Sequence, residues 1–176
     1  MATVTIVGAG VMGSAMAFPA RENGHEVRLV GTHLDREIID TCLRTNRHPK
    51  YDIDFPSGIS FYQIEDVKEA LEGADVVVCG VSSFGVDWFG ENIIPLIREE
   101  QPVLSITKGL IDTPEGKLMT FPEYWSKMTD KQLSINAVGG PCICFDMAWH
   151  DDTVVSFCGK DMKILAGLKE IFSRDY

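Results

Sequence analysis

Short apolar runs and longer amphipathic stretches alternate along the chain. Thr3–Val7, Glu26–Val30, Ile59–Gln63, Asp75–Gly80, Pro102–Ile106, Leu133–Val138 and Thr153–Phe157 read as strands. Among them "DVVVCGV" is a continuous β-branched run, the pattern of a strand covered on both faces. Helices are predicted between these runs. Val11–Asn23 stops at Gly24, Asp66–Glu72 stops at Gly73, and Asp35–Arg44 sets Ile38, Ile39 and Leu43 on one side. Asp87–Glu99 carries Trp88, Ile93, Ile94 and Ile97. Thr113-Pro114 reads as an N-cap followed by a first-turn proline, opening a helix toward Met128. Asp161–Ser173 spaces Ile164, Leu165, Leu168, Ile171 and Phe172 at helical intervals. Pro19 and Pro95 fall inside two of these helices, where each removes a hydrogen bond and is expected to bend the axis. Arg47–Gly58 is a long connection with no period of its own. Alternating strands and helices imply right-handed crossovers. The expected fold is α/β, a doubly wound Rossmann-type domain over residues 1–176, its mostly parallel sheet covered by helices on both faces.

The first strand runs straight into "VGAGVMGSAMA", with glycines at Gly8, Gly10 and Gly13. Glycine loses the most backbone entropy on folding and adds nothing to a core. Between a strand and a helix the spacing has a purpose. Gly8 permits the tight turn, Gly10 lets a pyrophosphate approach the backbone, and Gly13 lets helix and strand pack closely. Gly8, Ala9, Gly10, Val11, Met12 and Gly13 are therefore the candidate pyrophosphate loop, its N–H groups facing the anion at the helix start. An acidic residue for the adenosine ribose is expected at the end of the second strand, where Gly31, Thr32 and His33 stand with no carboxylate. Thr32 and His33, with Arg36 close by, could bond a ribose 2′-phosphate, which tilts the expected cofactor from NAD toward NADP.

Composition narrows the partners. Apolar residues make up 45% and charged residues 24%, ordinary for a globular chain. The formal charge of −10 argues against a nucleic-acid partner, which a basic stripe would announce. It leaves room for a small anion held by backbone N–H groups and a local lysine. No apolar run approaches the roughly 20 residues that span a bilayer, so no membrane partner is expected. The N-terminus lacks a basic leader region, and the cytoplasm is the expected compartment. Cys42, Cys79, Cys142, Cys144 and Cys158 are odd in number and scattered, which does not make a disulfide framework. Neither Cys142-x-Cys144 nor the acidic stretch Trp149–Asp152 has the spacing of a metal site, and none is expected.

Ligands of open parallel sheets lie at the carboxyl ends of the strands. Three such ends read "GVSSFGV", "SITKGL" and "NAVGGPCICFD". Phe84 either stacks on a cofactor ring or packs its own loop. Lys108 is a cation suited to an anionic substrate, and Gly139-Gly140-Pro141 is either a plain turn or a loop presenting N–H groups.

In this order and spacing, "TIVGAGVMGSAMA…NGHEVRLVG", "ADVVVCGVSS", "SITKGL" and "GGP" resemble the N-terminal domain of NAD(P)-dependent glycerol-3-phosphate dehydrogenase. The resemblance covers essentially the whole chain. It implies reversible reduction of dihydroxyacetone phosphate, a small phosphorylated three-carbon substrate, to sn-glycerol 3-phosphate by hydride transfer from a nicotinamide cofactor. It also implies that Ser82 and Phe84 line the nicotinamide side and that Lys108 is the substrate-contacting lysine. The family's G-P-S-F-A-x-E is here Gly140-Pro141-Cys142-Ile143-Cys144-Phe145-Asp146. Cys144 thus stands where an alanine lets its backbone approach the cofactor; these departures either suit a variant substrate or are neutral.

Family members continue into a helical domain carrying a general-acid lysine, so that domain is expected after residue 176. The present chain is expected to bind a dinucleotide without completing the reaction. Apolar surface left uncovered predicts self-association, a homo-oligomer included. Two other readings stand beside this one: the nucleotide domain of another two-domain hydroxy-acid or opine dehydrogenase, and a non-catalytic single-domain nucleotide sensor.

Overall fold

The computed structural model describes residues 1–51 and 53–176; Asp52, within the long connection Arg47–Gly58, lies outside the described residues. In chain order the elements are β1 (Thr3–Val7), α1 (Val11–Glu22), β2 (Glu26–Val30), α2 (Arg36–Thr45), β3 (Ile59–Tyr62), α3 (Val67–Leu71), β4 (Val76–Cys79), α4 (Val86–Asn92), β5 (Pro102–Ser105), β6 (Leu110–Asp112), β7 (Leu118–Thr120), α5 (Phe121–Lys127), β8 (Ser134–Gly139), α6 (Cys144–Trp149), β9 (Ser156–Cys158) and α7 (Met162–Phe172). Seven strands form one sheet in the order β3-β2-β1-β4-β5-β8-β9. All its pairings are parallel except β8 with β9. The order reverses between β1 and β4, which opens a crevice at their carboxyl ends.

The expected layering is present. Alternate residues of the central strands feed two separate apolar cores. Val4, Ile6, Val27, Leu29 and Val78 pack under α1, α2, α6 and α7. Val7, Val30, Val77, Cys79 and Val103 pack under α3, α4 and α5 on the other face. Strand ends are stitched together by hydrogen bonds that run one residue past each strand. Gly8 donates to Val30 O and Gly80 to Val7 O, both at 2.8 Å; Gly31 donates to Tyr62 O at 3.0 Å and Ile106 to Cys79 O at 3.1 Å. These bonds hold the carboxyl ends as one continuous edge.

Three expectations need correction. Thr113-Pro114 does not open a helix. Thr113-Pro114-Glu115-Gly116 is a turn, Gly116 N–H donating to Thr113 O at 2.8 Å, and it joins β6 to β7 in an antiparallel hairpin. Proline second and glycine fourth in such a quartet favour a β-turn over a helix start. The helix begins seven residues later, where Thr120 and Glu123 cap each other reciprocally at the head of α5. The helix expected over Asp87–Glu99 ends at Asn92, and a single 3-10 turn over Ile94–Leu96 replaces its second half. Pro95 cannot donate, and its ring clashes with the preceding turn. By contrast α1 continues past Pro19 to Glu22, with Gly13 through Ala20 buried along it. The last strand is displaced from Thr153–Phe157 to Ser156–Cys158, a register that sets Phe157 against Phe172 of α7 at 6.2 Å between rings. Helix α6 was not legible: it has no side-chain cap and holds its place through buried Met147 and Ala148.

Removing the Thr120 cap with Thr120→Ala is expected to lower stability by about 1 kcal/mol. Trp125 is fully buried and donates to Val86 O at 2.9 Å, so Trp125→Ala should cost roughly 3–5 kcal/mol. Urea unfolding measures both.

Candidate functional site

Three glycines and a fourth meet at the crevice. Gly8 has φ +116°, and a Cβ built on it would lie 2.6 Å from the backbone carbon of Gly80. A Cβ on Gly13 would lie 2.1 Å from Gly8 O. The end of β1, the end of β4 and the first turn of α1 therefore touch backbone to backbone. Gly10 differs: φ is −64°, and a Cβ there would meet nothing within 4 Å. No side chain caps α1 at Gly10, and its first turn holds no acidic residue. The first N–H groups of a helix lack intrahelical partners, so Val11, Met12 and Gly13 present unpaired dipoles beside open space. Such a cradle fits one phosphate bridge of a dinucleotide, held by backbone alone.

At the end of β2 the absence of a carboxylate is corrected. Asp35 folds back through a turn, its N–H donating to Thr32 O at 3.0 Å, and its Oδ2 lies at the glycine loop. That oxygen accepts from Ala9 N at 3.2 Å, Thr32 N at 2.9 Å and the Thr32 hydroxyl at 2.8 Å. Thr32 is itself buried, and its hydroxyl also accepts from Leu34 N at 3.2 Å. The one hydroxyl proton of Thr32 goes to Asp35, so Thr32 has no side-chain donor left for a ligand phosphate in this arrangement. His33 is exposed, with its ring 5.6 Å from Trp88. Arg36 is exposed and paired with Glu65.

Further along the edge, Lys108 and the glycine-proline loop come together. Lys108 Nζ donates to Gly140 O at 2.6 Å. Thr107, one residue before, donates to Val81 O at 2.6 Å and ties the β5 end to the β4 end. Ser82 and Phe84 lie between these and the glycine loop in the strand order, Phe84 98% exposed. Phe84 does not pack its own loop. Cys142 is half-buried, and burial pushes its thiol up, offset in part by a bond to Thr153 and by the Lys108 charge. Cys144 opens α6, half-buried. All five cysteines are free, and no cluster of metal-binding side chains occurs among the described residues.

Two residues of the long connection were missed by sequence reasoning. His48 is fully buried, its Nε2 3.0 Å from Ala9 O and its Nδ1 accepting from Lys50 N at 3.1 Å. Tyr51, 4% exposed, donates its hydroxyl to Val11 O. Nothing in the local pattern distinguishes them from loop residues. The spacing of the buried His48, Tyr51 and Phe55 is irregular, and the partners of His48 and Tyr51 lie 39 and 40 positions away.

Comparison with known proteins agrees with this geometry. The family model described as "NAD-dependent glycerol-3-phosphate dehydrogenase N-terminus" matches residues 3–165. The chain is 36% identical over 174 residues to the NADP(+)-dependent glycerol-3-phosphate dehydrogenase of Archaeoglobus fulgidus, covering 98% of this chain and 51% of that protein. It is 27% identical to the glycerol-3-phosphate dehydrogenase [NAD(P)+] of Shouchella clausii, covering 92% and 47%. Its fold superposes on the solved glycerol-3-phosphate dehydrogenase of Plasmodium falciparum with a TM-score of 0.86 at 19% identity, covering 99% of this chain and 50% of that one. The chain spans about half the length of the curated relatives it matches.

Burial holds the His48 imidazole below its ordinary value of 6.5, with the Ala9 bond opposing, and burial does the same at His25. Both groups are favoured neutral in the folded chain. Their contribution is complete above pH 6.5 and declines as the pH falls through the lower folded-state value. The stability difference between the parent chain and His48→Gln is therefore expected to shrink between about pH 7 and pH 5, read by urea unfolding; a constant difference would contradict a neutral buried imidazole.

Proposed function

The chain belongs to the family of NAD-dependent glycerol-3-phosphate dehydrogenase N-termini, and from that premise we propose that it is the nucleotide-binding half of a glycerol-3-phosphate dehydrogenase. The full-length enzyme would transfer hydride between NAD(P)H and dihydroxyacetone phosphate to give sn-glycerol 3-phosphate. One observation carries this reading. Of the glycines in the loop, Gly8 and Gly13 are closed against backbone while Gly10 faces open space beside an uncapped helix start.

When bound, the nicotinamide supplies or accepts the hydride. The chain's own residues bind and orient. Gly10, Val11, Met12 and Gly13 hold the pyrophosphate through N–H groups, while Gly8 and Gly10 bring no side chain and the Ala9 methyl is buried. His33, exposed in the turn after β2, and Arg36, exposed at the start of α2, are the side chains that would meet a ribose 2′-phosphate, which supports NADP alongside NAD. Ser82, Phe84 and Cys144 border the nicotinamide side, and the exposed Phe84 ring is free to cover it. Lys108 contacts the substrate phosphate or carbonyl. One of its protons is committed to Gly140 O, which orients the ammonium and leaves the others for the ligand. A proton donor must lie within hydrogen-bond reach of the substrate oxygen; we assign it to a second, helical domain of the full-length protein, residues 1–176 forming the first. The five free thiols suit a reducing, cytoplasmic setting. An apolar groove of about 590 Å³, lined by Met147, Val155, Phe157, Met162, Leu165 and Phe172, supports self-association of the isolated chain.

Gly10→Ala and Gly13→Ala separate binding from folding. Gly10→Ala is expected to leave urea stability nearly unchanged and weaken NADH and NADPH binding by roughly tenfold or more, read by nucleotide fluorescence. Gly13→Ala is expected to lose about 1–3 kcal/mol of stability. Unchanged binding in Gly10→Ala, or no binding of either nucleotide to the parent chain, would overturn the reading. Arg36→Ala with His33→Ala is expected to weaken NADPH severalfold and leave NADH alone.

A further inference from the structure

The pyrophosphate loop is held by side chains of Asp35, Ser14, His48 and Tyr51, which bond to the backbone of Ala9 and Val11. Ala9 is gripped at both ends: its N–H by Asp35, its carbonyl by His48 Nε2 at 3.0 Å and by the Ser14 hydroxyl at 3.2 Å. Val11 O accepts the Tyr51 hydroxyl. A peptide unit is planar and trans, so its carbonyl and the next residue's N–H point in opposite directions. Fixing Ala9 O therefore fixes the direction of Gly10 N–H, and fixing Val11 O fixes that of Met12 N–H. We infer that His48 and Tyr51 are positioning residues for the dinucleotide, aiming the N–H groups of Gly10 and Met12 into the open space beside Gly10.

Both side chains are built for this task. His48 Nδ1 accepts the Lys50 N–H, so the ring proton sits on Nε2 and the imidazole is a neutral donor toward Ala9 O. Tyr51 is clamped by rings on several sides: Phe18 at 6.0 Å, Phe145 at 5.5 Å and His48 at 4.9 Å between centroids. Its rotamer is fixed before any ligand arrives, which reduces the ordering cost of binding. Phe145 belongs to α6, the helix that follows the glycine-proline loop. Tyr51 thus props the pyrophosphate loop while resting on the element next to Lys108's partner, Gly140.

The inference rests on the dinucleotide reading above, and the experiment separates the two. ADP-ribose and adenosine are titrated into the 176-residue chain and into Tyr51→Phe, His48→Leu and His48→Gln, followed by NMR. ADP-ribose carries the pyrophosphate and adenosine does not. Tyr51→Phe and His48→Leu are expected to bind ADP-ribose roughly five- to tenfold more weakly, the scale of one oriented hydrogen bond, with adenosine affinity unchanged. His48→Gln is expected to recover most of the loss, since its amide nitrogen still donates toward Ala9 O. Tyr51→Phe removes only a hydroxyl and keeps the ring packing, so it tests the idea even if His48→Leu does not fold. Parent-like ADP-ribose binding in Tyr51→Phe overturns the inference alone, as does an equal loss for adenosine. Failure of the parent chain to bind ADP-ribose overturns the dinucleotide reading and the inference together.

Discussion

At the carboxyl edge of β1 the backbones of Gly8, Gly13 and Gly80 approach so closely that a methyl group on Gly8 or Gly13 would sit inside a neighbouring carbonyl. Sheet pairing, helix packing and the loop share this point. Gly80 closes the ladder to Val7 O, Gly8 closes the ladder to Val30 O, and Gly13 brings α1 down onto both. Were the contact loosened, α1 would ride higher on the sheet and its first N–H groups would no longer lie at the crevice where the strand order reverses. The shape of the site is thus a packing result before it is a chemical one.

An acidic chain of net charge −10 can hold an anion there because the charge that matters is local. The aligned dipoles of α1 end at residues that carry no carboxylate. The carboxylate that does come near, Asp35, is turned onto the protein's own donors at Ala9 and Thr32. Two strands along the edge, about 10 Å away at ordinary strand spacing, Lys108 brings a full positive charge, steered by Gly140 O. Dipoles at one place and an ammonium at another give the edge two separate positive centres.

Much of this was legible in the residues. β-Branched runs read as the central strands because burial on both faces leaves little else. The glycine spacing marked the loop, and lysine-glycine with glycine-proline marked the two strand ends that the fold brings together. Local competition produced the errors: Thr113-Pro114-Glu115-Gly116 carries the same threonine and proline that start helices, and the fourth-position glycine turns it into a hairpin. The true start at Thr120-Phe121-Pro122-Glu123 carried a capping-box pattern that was there to be read.

What the sequence determined by itself was therefore the alternation, the mostly parallel sheet and the place of the glycine loop between β1 and α1, all set by period and by short-range spacing. Tertiary structure alone decided which side chains brace that loop. Asp35, His48 and Tyr51 reach it across separations of 26, 39 and 40 residues. No period links such positions, because the bonds form only after α1, α2 and the connection behind them have packed. A buried hydrogen bond is specified by where the backbone folds to, and that is a property of the assembled layers.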